Sequence, residues 1–203
     1  MALRSLTTST APAPSRERVV RALLGVGRVE ILRYWDVNSC IASTRIAIEV
    51  LARYGHRALP VVVEARAYNR VAADAIESGH PGLVDGGFGV SLGADAGEQM
   101  GLHLIALLDE LLIDLSLDQA SRPGWRLIAY PSVFTLADPL GFQRGTAEAW
   151  FDLPGGGAIG YRALRGRRHY ISSPAWGQRD AAARRRVAAA IAIHLSQPPS
   201  APR

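Results

Sequence analysis

The stretch that decides the fold is residues 102–118, which read LHLIALLDELLIDLSLD. With a turn centred on Asp109 and Glu110, Leu108 pairs with Leu111 and the two strands share one wholly apolar face. The polar side chains of both strands then lie together on the opposite face, namely His103, Asp114, Ser116 and Asp118. Side chains alternate across a strand, so a slip of one residue would split this polar group between the faces. The pattern therefore predicts a β-hairpin in this register.

The predicted register places two of these polar residues within reach of each other. His103 lies opposite Ser116, and Asp114 is its diagonal neighbour, a separation that side chains can bridge across an antiparallel pair. A carboxylate in that position holds the tautomer of an imidazole and stabilises its protonated form. We therefore predict a pair of His103 and Asp114, with Asp118, nearer the end of the strand, as the second candidate for the acid.

Cys40 is the only cysteine in the chain, which excludes an intramolecular disulfide and zinc sites made of several cysteines. It begins a predicted helix over residues 40–54, after the good capping residues Asn38 and Ser39. A helix N-terminus favours the thiolate, which is the nucleophilic form of cysteine. A buried, inert thiol is the alternative interpretation. With the predicted histidine and aspartate, Cys40 completes a possible catalytic triad.

Apolar periodicity and turn residues predict the remaining elements. Helices are expected over residues 15–24, 29–34, 71–76 and 178–195, with Gly25 and Gly27 breaking the first one. Strands are expected over residues 58–68, 88–92, 125–130, 147–153 and 158–164. Helices mixed with strands that are mostly joined by hairpins predict an α+β fold.

The composition is that of one globular domain, which we expect over residues 15–197 between disordered tails at 1–14 and 198–203. No apolar run is long enough to span a bilayer and the N-terminus lacks a secretory apolar region, so we expect a cytoplasmic protein without membrane contact. No feature of the sequence predicts an oligomeric state.

The basic residues exclude some functions. All 23 are arginine, which rules out a P-loop lysine, a Schiff-base lysine and a lysine general base. The net charge is +5, but the arginine runs at 165–168 and 184–186 are not interleaved with aromatic residues. Such runs are typical of solvated faces, and we do not expect nucleic-acid binding.

The chain resembles transglutaminase-like domains in residues 36–118. The resemblance comes from a cysteine that opens a helix, followed by LARYGHRA at residues 51–58 and a valine-rich strand. In that superfamily, which includes papain-like proteases and arylamine N-acetyltransferases, a cysteine is followed along the chain by a histidine heading a strand and an aspartate on the next strand. Cys40, His103 and Asp114 follow this order. The resemblance implies that the nucleophile helix packs on an antiparallel sheet.

Together these features predict a cysteine-dependent hydrolase or transferase of acyl groups, acting on an amide or thioester in a peptide, a protein or a small molecule. Neither a cofactor nor a metal is needed for that chemistry. For the oxyanion, the Cys40 backbone amide is one expected donor, and Asn38, Trp35 and Gln119 are candidates for a second, although a simple helix cap is the favoured interpretation of Asn38. The alternative is a catalytically inactive domain of the same fold that binds a peptide or protein.

Overall fold

The computed structural model describes residues 13–36, 39–80, 84–92 and 102–197. The helices are α1 (Arg16–Ala22), α2 (Arg28–Ile31), α3 (Cys40–Arg53), α4 (Arg70–Glu77), α5 (Pro139–Gln143) and α6 (Ala181–Ser196). The strands are β1 (Leu59–Tyr68), β2 (Gly89–Leu92), β3 (Leu102–Leu108), β4 (Leu111–Asp114), β5 (Ser132–Thr135), β6 (Glu148–Asp152) and β7 (Ala158–Ala163). Apart from residues 13 and 14, the predicted tails lie outside the described residues.

The strands form one antiparallel sheet in the order β5-β4-β3-β1-β7-β6 that curves until it is nearly a barrel. The long strand β1 lies at its centre, with β7 along one edge and with β3 and then β2 along the other. Helices pack outside the sheet. The predicted α+β class with an antiparallel sheet is therefore confirmed. None of the helices among the described residues combines the length and apolar character needed to cross a membrane.

The hairpin has the predicted register. Leu108 pairs with Leu111, and Ala106 with Ile113, around a turn in which Asp109 adopts a left-handed φ of 53°. Strand β4 ends at Asp114, however, and the chain then turns into a short 3-10 helix at Leu117–Ala120 instead of continuing as a strand. The first half of β3 is consequently not paired with β4.

The two faces of the sheet have separate hydrophobic cores, as the alternation of side chains requires. One face packs against α1, α3 and α6 through residues that include Ala106, Leu108, Ile113 and Leu115. The other face encloses the interior of the barrel, with Val63, Ala65, Ile105, Leu107, Leu112 and Tyr161 among its buried residues. His103 and Asp114 belong to this second face.

Two predictions about elements were wrong. Gly25 and Gly27 do not break the first helix, because the chain continues into α2 through a π-helical turn at Leu23–Gly27. A Cβ at Gly27 would lie 3.2 Å from the Ile191 side chain, so glycine there permits close packing against α6. Residues 125–130 are not a strand, since the 3-10 turn Pro123–Trp125 ends within them and Arg126 is left-handed (φ 54°), and the strand forms at β5 instead.

Candidate active site

Helix α3 takes the place of β4 beside the unpaired half of β3. The Thr44 hydroxyl donates a hydrogen bond of 2.8 Å to the Leu104 carbonyl, and the Leu104 N–H donates to the sulfur of Cys40. Cys40 and Thr44 can both reach this one residue because positions i and i+4 lie on the same side of a helix. The end of strand pairing thus creates the place where the helix N-terminus meets the sheet.

Cys40, His103 and Asp114 come together at this junction. The imidazole of His103 is fully buried, and its Nε2 lies 2.7 Å from Asp114 Oδ2. The ring also interacts with the thiol of Cys40, whose hydrogen bond and charge help to raise the pKa of the imidazole. The thiol, the ring and the carboxylate therefore form one continuous row.

The Asp114 carboxylate is saturated with donors. Its Oδ1 accepts from the backbone N–H of Ser116 at 3.0 Å and from the Ser116 hydroxyl at 3.3 Å. Its Oδ2 accepts from the Tyr161 hydroxyl at 2.9 Å, in addition to the bond with His103. Hydrogen bonds to a carboxylate stabilise its charged form, so this buried group can remain ionised.

The electrostatics favour an ion pair of thiolate and imidazolium. Burial lowers the pKa of His103, but the neighbouring Asp114 carboxylate outweighs it and raises that pKa from 6.5 to about 10. Burial raises the pKa of the Cys40 thiol, yet the hydrogen bond and charge of His103 bring it below its ordinary value of 9.0. Burial likewise raises the pKa of Asp114, and the imidazolium with the donors around it lowers it below 3.8. These shifts favour the pair of thiolate and imidazolium over the pair of neutral thiol and neutral imidazole.

Among the candidates for a second oxyanion donor in the described part of the chain, Gln119 is the one that lies in this site. Its side chain is buried, and its Nε2 lies 2.9 Å from Nδ1 of His103. The 3-10 helix after β4 brings it there, with its backbone N–H donating to the Ser116 carbonyl and its own carbonyl accepting from Arg122. The amide thus contacts the ring nitrogen that Asp114 does not occupy.

Asp118 does not contact His103, contrary to its ranking as the second candidate acid. Its carboxylate accepts two hydrogen bonds from the buried Arg28, at 3.0 Å from Nε and 2.6 Å from Nη2. Arg28 also donates to the hydroxyl of Ser39, the residue that precedes the nucleophile helix. Beyond β4 the chain has left the strand, so Asp118 no longer shares the face of His103. The ion pair instead ties the start of α3 to the segment that carries Gln119.

The remaining candidates lie elsewhere. Asn38 falls outside the described residues. The structure places Trp35 elsewhere: its indole N–H donates to Asp180 at 3.2 Å, and its partly buried ring packs against the core on the helical side of the sheet. Within the described ranges, no group of three His, Cys, Asp or Glu side chains could hold a metal ion.

Three residues that support the site were not predicted from the sequence. Thr44 lies four residues after Cys40 on the same side of the predicted helix. This spacing is a signal in the sequence from which a shared partner for the two side chains could have been predicted. Tyr161 and Arg28 carry no such signal, since their contacts depend on how β7 and α2 pack against distant segments.

Apolar side chains flank the nucleophile on its outer side. Cys40 is partly exposed, and it belongs to a cluster with Val62, Leu104 and Tyr170. Trp176 packs edge-on against Tyr170, with ring centroids 4.5 Å apart. The thiol of Cys40 therefore lies against buried apolar side chains.

No protein-family model matches the chain, and comparisons with curated proteins and with solved structures found no match.

Proposed function

We propose that the chain is a cysteine-dependent hydrolase or transferase of acyl groups, with a transglutaminase-like or papain-like fold. The observation that carries the proposal is the row of thiol, imidazole and carboxylate, in which the Cys40 sulfur hydrogen bonds to His103 and Nε2 of His103 lies 2.7 Å from Asp114. A helix that begins at the cysteine and packs on an antiparallel sheet supports the fold assignment.

In the proposed reaction the Cys40 thiolate attacks the carbonyl carbon of an amide or thioester. A carbon–sulfur bond forms and the carbonyl electrons move onto the oxygen. When they return, the bond to the leaving group breaks, and the proton held on His103 passes to that leaving group. Water, or an amine acceptor, then attacks the thioester while His103 takes its proton, and cleavage of the carbon–sulfur bond restores the thiolate.

The substrate is an acyl group on a peptide, a protein or a small molecule. The chemistry uses only side chains of the protein and needs no cofactor. We place the protein in the cytoplasm, where a single free thiol stays reduced.

The proposal is tested by the pH dependence of Cys40 alkylation with iodoacetamide. The alkylation rate should rise with a midpoint below pH 9.0, and His103→Ala should move the midpoint to pH 9.0 or above. Mixing the protein with p-nitrophenyl acetate should release a burst of p-nitrophenolate and add one acetyl group to Cys40, detected by mass spectrometry. Cys40→Ser is the control that should show no acetylation at this position.

The alternative hypothesis, that the chain is a catalytically inactive domain that binds a peptide or protein, predicts a different result. A midpoint at or above pH 9.0 that His103→Ala leaves unchanged, together with the absence of an acetylated Cys40, would contradict the proposed enzyme and favour that alternative.

A further inference from the structure

A cavity of about 340 Å³ opens beside the first residues of β1, where β7 ends. Strand β7 pairs with β1 as far as Ala163, which lies opposite Val63, and the Leu164 N–H then donates to the Val62 carbonyl at 2.8 Å. Among the described residues, no strand pairs with β1 on this side before Val62, and the cavity occupies that place. Its volume is within the range of small-ligand sites.

The strand edge that borders the cavity is poorly suited to pairing with another strand. The Val62 carbonyl faces β7, and the alternation along a strand turns the backbone of Pro60, which also lines the cavity, to the same side. Proline has no N–H to donate, and proteins use it to prevent pairing at exposed strand edges. Hydrogen-bond donors for a ligand must therefore come from side chains.

Three arginines supply these donors. After β7 the chain turns at Arg165 and Gly166. The side chains around the cavity include those of Arg165, Arg167 and Arg168, and no acidic side chain in the described part of the chain lines it. None of the three guanidinium groups has a carboxylate partner among the described residues. The cavity is therefore surrounded by positive charge without a counter-charge from these residues.

This arrangement favours an anion. A guanidinium group stays charged at any physiological pH, and its planar fork of donors matches a carboxylate or a phosphate. The walls of the cavity include the apolar side chains of Val62, Leu164 and Tyr170. A cleft with charges of one sign and apolar walls concentrates ligands of the opposite charge. A bound anion also offsets the repulsion among the three like charges.

The cavity shares its apolar wall with the candidate active site. Val62 and Tyr170 are buried in the cluster against which Cys40 packs, and Leu164 packs against the same cluster. One group of apolar side chains therefore borders both the arginines and the thiol. This order predicts a substrate with an anionic end, an apolar middle part and a reactive carbonyl group.

We propose that this cavity binds the anionic group, a carboxylate or a phosphate, of the substrate whose carbonyl carbon Cys40 attacks. The inference rests on the proposed function and narrows its substrates to anionic acyl compounds. Arg165, Arg167 and Arg168 determine this specificity and take no part in the bond-forming steps.

The first test measures binding without any reaction. Isothermal titration calorimetry of the full chain with inorganic phosphate and with glutarate, at an ionic strength of about 0.15 M, should detect binding of at least one of them. The cavity variant carries three changes, namely Arg165→Gln, Arg167→Gln and Arg168→Gln. It should bind that anion about tenfold more weakly or worse, because it loses hydrogen bonds between charged groups.

A control variant separates the cavity from the net charge of the protein. It removes the same charge from three exposed arginines outside the cavity lining, by the changes Arg179→Gln, Arg185→Gln and Arg186→Gln. Its affinity for the anion should stay close to that of the wild type, since charges at a distance are screened at this ionic strength.

The second test measures acylation of Cys40 by p-nitrophenyl esters of increasing chain length. At each length, one ester that ends in a carboxylate and one that ends in a phosphonate are compared with a neutral alkyl ester. At the favoured length, one anionic ester should react about tenfold faster than its neutral counterpart, and its end group identifies the anion. The cavity variant should lose this ratio and the control variant should keep it. A ratio of two rates in one protein is unaffected by a partial loss of folded protein.

The outcomes separate this inference from the function on which it rests. Binding of neither anion, a loss of binding that the control variant shares, or equal rates for anionic and neutral esters at every length would overturn the inference and leave the acyl chemistry in place. A protein that binds an anion through the three arginines but is acylated by none of the esters would overturn the proposed function, and with it the assignment of the anion to an acyl substrate.

Discussion

Replacing Asp114 by asparagine isolates the charge that keeps the proton on His103. The substitution retains the size of the side chain and removes the carboxylate that contributes most to raising the pKa of the ring from 6.5 to about 10. Burial, the largest influence on the ring, then lowers the pKa of His103 against only the smaller effect of Cys40. As His103 loses its charge, burial, the largest influence on the thiol, raises the pKa of Cys40 toward 9.0, and this outweighs the removal of the Asp114 charge, which acts in the opposite direction.

The expected effect on reactivity follows from these directions. The pKa of the Cys40 thiol lies below 9.0 in the wild type. A thiol with an ordinary pKa near 9 is only about 1% ionised at pH 7, so alkylation of Asp114→Asn should be slower by up to about 100-fold. Acylation should fall further, by up to about four orders of magnitude, as it does when the corresponding aspartate of a serine protease is replaced.

The assay is the second-order rate of iodoacetamide alkylation between pH 5 and 10, followed by mass spectrometry. Ser116→Ala is the matched control, because it removes a 3.3 Å hydrogen bond to Asp114 but leaves the carboxylate in place. Its alkylation midpoint should stay close to that of the wild type. A folded Asp114→Asn variant with an unchanged midpoint would refute the role of the carboxylate.

Three further predictions concern stability. Folding raises the pKa of His103, so the stability that His103 contributes is complete below pH 6.5 and is lost as the pH rises to about 10. Folding lowers the pKa of Asp114, so the stability that Asp114 contributes is present above pH 3.8 and is lost as the pH falls below that value. The free energy of unfolding in urea should therefore differ most between wild type and Asp114→Asn at pH 3.8 to 6.5, and a difference independent of pH would contradict the ion pair. Thr44→Val removes the bond of α3 to the β3 backbone and should lower the free energy of unfolding by about 1–3 kcal/mol, while Thr44→Ser should retain most of it. Arg28→Met leaves Asp118 without its cation and should cost roughly 3 kcal/mol, with Arg28→Met/Asp118→Asn recovering part of the loss if the unpaired charge is the cause.

The hairpin at residues 102–114 could be predicted from the sequence because its register depends only on the order of apolar and polar residues within the hairpin itself. Alternation with a period of two assigns each side chain to a face, and a slip of one residue in the pairing would separate His103 from Asp114. The start of α3 at Cys40 was likewise predictable from its apolar stripe and capping residues. Both signals depend on neighbours only a few residues away.

The surroundings of these residues depend on packing between distant segments. The end of β4 at Asp114 has three consequences. It leaves Leu104 open to a hydrogen bond from α3, it turns Asp118 toward Arg28, and it brings Gln119 to His103. No local pattern encodes the end of pairing, because it results from the curvature of the whole sheet. The sequence by itself determined which side chains could form the row of thiol, imidazole and carboxylate. Only the tertiary structure decided which groups support that row, since hydrogen bonds between distant segments exist only once those segments pack together.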